Sequence, residues 1–472
     1  MKKYKLAAAV FLIAIVGACA HYPVNARLAG YDKSSGYRFD NLKASDNSDS
    51  LFIILAFSGG GTRAAALSYG VLEELKKTSI AWEGKSRRLL DEVDVISSVS
   101  GGSFTAAYYA LYGDRTFSDY ETRFLKKNIQ GALENALFSP YNWYRLASST
   151  FDRIDMAAEY YNERVFDNHT FQDLVQSGRR PFIVINATDM TLGSRFDFTQ
   201  DQFDPLCSNL SEFTLARAVA ASSAFPVLLS PITLRNYSGA CNYQEPQWVA
   251  NALEDRDITS RRYAHALQVR SYLDAKNRPF IHLLDGGIAD NIGLRGPHYA
   301  VTSTDSPWSV LRLVNRNKVK KILVIVVNAK TEPDTNMDKK ESAPKLTKVM
   351  MSVATAPMDN YSFDTIELMK ESLNQWAKDI QVRKDCESVL KDACPKAKLP
   401  GGDLQQVDFY PVVLGFDALE DAKERDYFKN LPTTFALPAE TVDRLRAVGA
   451  KLLTASPEYQ RLLKELDAMS GN

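Results

Sequence analysis

An α/β fold, with a mostly parallel central sheet and helices on both faces, is predicted for this 472-residue sequence by three observations. A strand-length apolar run, Leu51 to Phe57, passes through Ser58-Gly59-Gly60-Gly61 into a helical run from Thr62 to Lys77 that carries Leu67, Val71, Leu72 and Leu75 on one face. The same order of strand, glycine turn and helix recurs at Val93 to Val99 and Gly101 to Tyr112. Further strand-length segments at Phe182 to Thr188, Arg195 to Thr199, Phe280 to Leu284 and Lys321 to Val327 complete one sheet.

Along the chain, residues 1–18 read as a signal segment. Residues 19–50 read as a tether, because Ser, Asp, Asn, Lys and Tyr accumulate there without apolar periodicity. The main domain spans 51–330. Within it, residues 116–178 are expected to be mainly helical, with Tyr141, Trp143 and Tyr144 in a break, and Asn236 to Asn277 forms a polar and aromatic insertion. Thr331 to Lys345 has the composition of a mobile loop. Residues 331–472 form a C-terminal extension packed on the main domain, with a long helix around Ser362 to Arg383 and amphipathic helices from Glu420 onward.

Composition bounds the function classes. At 45% hydrophobic and 24% charged the chain is neither disordered nor fibrous, and its length suits about three domains or one α/β unit with insertions. Lys plus Arg and Asp plus Glu both number 57, so no basic excess argues for nucleic acid as a partner.

The N-terminus sets an expected compartment. Lys2, Lys3 and Lys5 precede an apolar run from Leu6 to Ala18, the pattern of a secretory signal. That run is shorter than the roughly 20 residues that span a bilayer. Val16-Gly17-Ala18-Cys19 resembles the lipobox of bacterial lipoproteins, which implies lipidation of Cys19 and attachment to the membrane through a lipid anchor of several acyl chains. Ala20, in place of the Asp of inner-membrane lipoproteins, points to the outer membrane of a bacterial cell envelope. In that oxidising compartment the remaining cysteines are expected to pair as Cys207 with Cys241 and Cys386 with Cys394, since neighbours in sequence meet most cheaply. No CxxC or HExxH spacing suggests a metal site.

Candidate catalytic groups cluster at glycine turns. Ser100, in Ser98-Val99-Ser100-Gly101-Gly102, stands between a strand and a helix in the manner of a nucleophile elbow, with Ser98 where the usual motif has glycine. Gly59, Gly60 and Gly61 could present backbone N–H groups to an oxyanion; they lack the spacing of a nucleotide-binding loop. Arg63 either fixes that loop or attracts an anionic head group. A partner for Ser100 could be His298, the one reasonable candidate among five histidines, or Asp285, which ends an apolar strand in Asp285-Gly286-Gly287.

Together these segments resemble the patatin-like phospholipases. Gly59-Gly60-Gly61-Thr62-Arg63 is similar to that family's oxyanion block, Ser98 to Gly102 to its nucleophile block, and Asp285-Gly286-Gly287, continuing as Ile288-Ala289-Asp290-Asn291, to its D-G-G block. Asn186-Ala187-Thr188-Asp189 and Ala221 to Pro226 fit as flanking segments. The resemblance covers about Leu51 to Leu294 and implies a three-layer fold, a Ser100–Asp285 dyad, a glycine-loop oxyanion hole, a membrane lipid as substrate, and no metal or organic cofactor. A Ser-His-Asp esterase using His298 and a catalytically silent lipoprotein stand as alternatives.

Overall fold

Strands buried on both faces organise the molecule. The computed structural model describes residues 20–42, 47–226, 228–302, 318–333, 335–393 and 407–470, so the signal segment, Cys19 and Cys394 lie outside the described residues. The strands are β1 Leu51–Phe57, β2 Ser79–Trp82, β3 Lys85–Arg88, β4 Val93–Val99, β5 Phe182–Asp189, β6 Ser194–Asp197, β7 Ile232–Arg235, β8 Phe280–Asp285, β9 Lys321–Asn328 and β10 Asp408–Gly415. The main sheet runs β10-β9-β1-β4-β5-β8-β7, with β6 paired to β5, while β2 and β3 form a separate hairpin. From β10 to β5 every neighbour is parallel; β6, β7 and β8 pair antiparallel.

Period-two alternation explains the two-sided core. Leu51, Ile53, Leu55 and Phe57 of β1 face one apolar layer, and Phe52, Ile54 and Ala56 face the other. Helices that matter below are α1 Gly61–Lys77, α2 Gly101–Tyr112, α3 Leu215–Ser222, α4 Gln247–Asp255, α5 Arg261–Tyr272, α6 Arg295–Thr302, α7 Leu346–Ala393, α8 Ala422–Lys429, α9 Ala439–Ala455 and α10 Pro457–Ser470. The first layer is covered by α1 and α2, the second by the middle of α7. Among the described residues no helix is long and apolar enough to cross a membrane.

Several expectations change, among them the break at Tyr141, Trp143 and Tyr144, which lie on a helix, Pro140–Leu146. Residues 20–42 are no tether but a strap on the body. Tyr37 is fully buried and its hydroxyl donates to the Ile183 carbonyl, Arg38 pairs with Asp201 and Asp204, and Asn25 donates to Ser208. A few anchoring side chains do this without any apolar periodicity. The C-terminal region is not an appendage to a domain ending at 330. β10 lies parallel to β9 as the sheet's edge strand, and α9 crosses α1 so closely that a Cβ on Gly70 would sit 2.1 Å from the Arg446 carbonyl oxygen and one on Gly449 2.6 Å from that of Leu67. Finally, the long helix is more extended than expected, and the insertion is a helical pair, α4 and α5, around Val249, Ala252, Ala266 and Val269.

One of the two expected disulfides forms. Cys207 and Cys241 are bonded, tying the strap-binding loop to the start of the insertion. Cys386, on α7, is exposed and free among the described residues, and its expected partner Cys394 lies outside them.

Candidate active site

Ser100 occupies the junction its flanking glycines suggest. It precedes α2 at φ 48° and ψ −118°, a conformation that costs a non-glycine residue on the order of 1–3 kcal/mol and must be held by its surroundings. The hold is visible. The Ser100 N–H donates to Ser222 Oγ at 2.8 Å, and that hydroxyl donates to the Asn186 carbonyl at 2.7 Å. The turn also needs small neighbours: a Cβ on Gly101 would lie 2.0 Å from the Gly61 carbonyl oxygen, and one on Gly102 2.7 Å from Phe57 Cβ. Ser98 is accommodated within β4, where it is fully buried.

Asp285 meets Ser100 from an unexpected direction. β8 runs antiparallel to β5 and overlaps only its last residues, pairing Asp285 with Ala187, while β4 pairs Val99 with Asn186. The carboxylate thus arrives beside Ser100 on a strand that enters from the far side. Its backbone is fixed by Asp285 N–H to the Ala224 carbonyl at 3.0 Å and by Thr188 Oγ1 to the Asp285 carbonyl at 2.8 Å. Burial pushes the carboxyl up to about 7, opposed by the Gly287 N–H, which donates to it at 2.8 Å, and by the nearby Ser100 hydroxyl. A carboxylate of that basicity beside a hydroxyl is a proton acceptor suited to neutral pH.

His298 sits elsewhere. It is buried on α6, its imidazole pushed down to about 4 by burial and by Arg261 of α5, and neither Ser100 nor Asp285 has an imidazole among its hydrogen-bond partners in the described residues.

The glycine loop divides its tasks. Gly60 at φ 138° and Gly61 at φ 58° adopt backbone conformations that side chains disfavour, and their N–H groups have no hydrogen-bond partner among the described residues. Gly59 differs from expectation: its N–H donates to the Asn291 carbonyl at 2.9 Å, so it is a structural contact. Asn291, the last residue of the segment that continues the D-G-G block, also places Oδ1 close to where a Cβ on Gly59 or Gly287 would fall, 2.6 and 2.8 Å away, and so joins the two glycine turns.

Arg63 is a loop support. Its guanidinium donates to the carbonyls of Ala329 at 2.9 Å and Leu431 at 2.8 Å and to Thr433 Oγ1 at 3.0 Å, and burial alone lowers it to about 10. It is therefore enclosed by acceptors from this chain. The Thr434 carbonyl accepts the Thr62 N–H at 2.9 Å and lies 2.4 Å from where a Gly61 Cβ would be. Residues after α8 thus brace the glycine loop, a role that nothing in the local sequence around 431–434 signals.

A family model described as patatin-like phospholipase matches residues 55–297. Among solved structures, human GIVD cytosolic phospholipase A2 is similar with a TM-score of 0.42 and 13% sequence identity, over 90% of this chain and 63% of that one. The same human protein in complex with methyl gamma-linolenyl fluorophosphonate gives a TM-score of 0.39 and 12% identity, over 90% of this chain and 60% of that one. This chain therefore spans less than two thirds of the length of the structures it matches. No curated protein matches it.

Proposed function

As the chain belongs to the patatin-like phospholipase family, we propose that it is a serine acyl hydrolase that cleaves carboxylic esters of phospholipids or related acyl lipids. The observation that carries this reading is the strand-to-helix turn that holds Ser100 at φ 48° near a buried Asp285 whose carboxyl is raised to about 7. In the proposed reaction Ser100 Oγ attacks the ester carbonyl carbon while its proton passes to Asp285. The charge forming on the carbonyl oxygen is met by the Gly60 and Gly61 N–H groups and by the N-terminal end of α2. Collapse expels the alcohol, which takes the proton from Asp285, and leaves an acyl-enzyme. Water, deprotonated by Asp285, then releases the fatty acid and restores Ser100.

A direct test incubates the purified chain with a mixed lipid extract and reads released fatty acids by mass spectrometry, in parallel with labelling by a serine-directed fluorophosphonate. Release together with a single adduct at Ser100 is expected. No release, with an adduct at another serine or none, would leave the silent lipoprotein as the better reading.

The protonation of Asp285 sets a pH profile. The base must be ionised to accept the Ser100 proton, so kcat/KM should rise about tenfold per pH unit below the folded pKa and level off above it. With that pKa near 7, the bend should fall near neutrality. A profile flat from pH 5 to 8 would mean that another group takes the proton.

The enzyme's location is part of the same proposal: lipidated at Cys19 and held in the outer membrane, it would meet its substrate at a membrane surface. Cys19→Ala should move the protein from the detergent phase to the aqueous phase on partitioning of whole cells. Unaltered partitioning would argue against the anchor.

A further inference from the structure

The long helix α7 is docked only through its middle. Met358, Thr365, Met369 and Leu373 are buried; Met369 and Leu373 join the sheet core, and Met358 packs against Gly287, two residues from Asp285. On the N-terminal side of Met358 the helix continues from Leu346 to Pro357, a length of about 18 Å at 1.5 Å per residue. This overhang has an apolar face of its own. Leu346, Val349, Met350 and Val353 fall at helical positions i, i+3, i+4 and i+7, and their exposures are 73%, 42%, 48% and 69%. At about 100° per residue the stripe points away from the docked face, so it does not serve the core.

The charges around the stripe specify what it meets. Residues 342–358, which include the stripe, hold Lys345 just before the helix and Lys348 on it and no acid, with Asp338, Glu341 and Asp359 lying beyond. An exposed apolar face flanked by lysines is suited to the head-group region of an anionic lipid surface, the lysines on phosphates and the apolar side chains among the acyl chains. A second copy of this chain suits the stripe less well, because a two-fold contact would bring the lysines of both copies together.

We propose that the N-terminal overhang of α7 is the element through which this protein settles on an anionic lipid surface. The inference rests on the reading of the site as a lipid acyl hydrolase and names the form of its substrate: lipid in a negatively charged surface.

The test uses the full chain carrying Cys19→Ala in every arm, so that no acyl anchor binds the vesicles. Binding to phosphatidylcholine vesicles with and without phosphatidylglycerol is compared with turnover of a soluble short-chain ester. Leu346→Asp combined with Val353→Asp should weaken binding to the anionic vesicles by about tenfold or more, with soluble-ester turnover within about twofold of the parent. Lys345→Glu combined with Lys348→Glu should remove the preference for anionic over neutral vesicles. In a third variant, Val353→Trp, brominated acyl chains should quench fluorescence more than in the parent, which reads insertion at the stripe itself.

Unchanged vesicle binding in the aspartate pair, or no added quenching in Val353→Trp, would overturn the proposal. So would a parent dimer that the aspartate pair dissociates while vesicle binding persists, since the stripe would then be covered by a second copy. The two readings fail separately. Stripe-dependent binding with no fatty acid released would sink the hydrolase and leave the docking surface; release with stripe-independent binding would do the reverse.

Discussion

Asp285→Asn is expected to reduce kcat/KM by about four orders of magnitude or more, while His298→Ala keeps most of the activity. The amide fits the same space and can still meet the Ser100 hydroxyl, so the loss would isolate proton acceptance from packing. Two features make the carboxylate equal to the task without an imidazole between: its place near Ser100, and the burial that raises its carboxyl to about 7. In a Ser-His-Asp mechanism the aspartate would only orient the imidazole, and removing the histidine would cost as much as removing the serine. The steady-state comparison of both variants, with thermal melts to certify folding, separates the cases. A folded His298→Ala as inactive as Ser100→Ala would sink the dyad.

Gly60→Val should lower kcat by about two to three orders of magnitude with little change in KM, because an oxyanion donor acts on the transition state more than on the bound ester. The residue is the sensitive one for two reasons. Its φ of 138° is closed to a β-branched side chain, and a Cβ there would press within 3.1 Å of the Arg63 guanidinium that steadies the loop. Relaxing the turn would rotate the Gly60 and Gly61 N–H groups away from the developing charge. Comparison with Gly59→Ala is informative, since Gly59 donates to Asn291 and its replacement should act through fold stability instead. A folded Gly60→Val with unchanged kcat would remove the glycine loop from the mechanism.

The sequence exposes those parts of this architecture that depend on near neighbours. β1 and β9 are legible because a strand buried on both faces is apolar almost throughout, and β4 and β5 because enough of their residues are β-branched or aromatic. The glycine turns beside Ser100 and Asp285 are legible because their chemistry is local. β10 is not, since Asp408 to Gly415 carries Pro411, which lowers any expectation of a strand and is tolerated at the sheet edge where that strand lies. Strand direction is hidden for a different reason. Alternation fixes which face a side chain takes and says nothing of whether β8 runs with or against β5. The engagement of Gly59 by Asn291, and of Arg63 by residues 329 and 431–433, depends on segments that meet only after folding.

The Arg63 contacts also bear on timing. Synthesis delivers a chain from its N-terminus, so Ser100 and Asp285 emerge well before the segment that follows α8. Until Leu431, Thr433 and Thr434 have arrived, the Arg63 guanidinium lacks two of its acceptors and the start of α1 lacks the carbonyl it rests on. A nascent chain therefore carries both reacting side chains beside an unfinished glycine turn. The brace of the glycine turn is thus completed late, when nearly the whole polypeptide has been made.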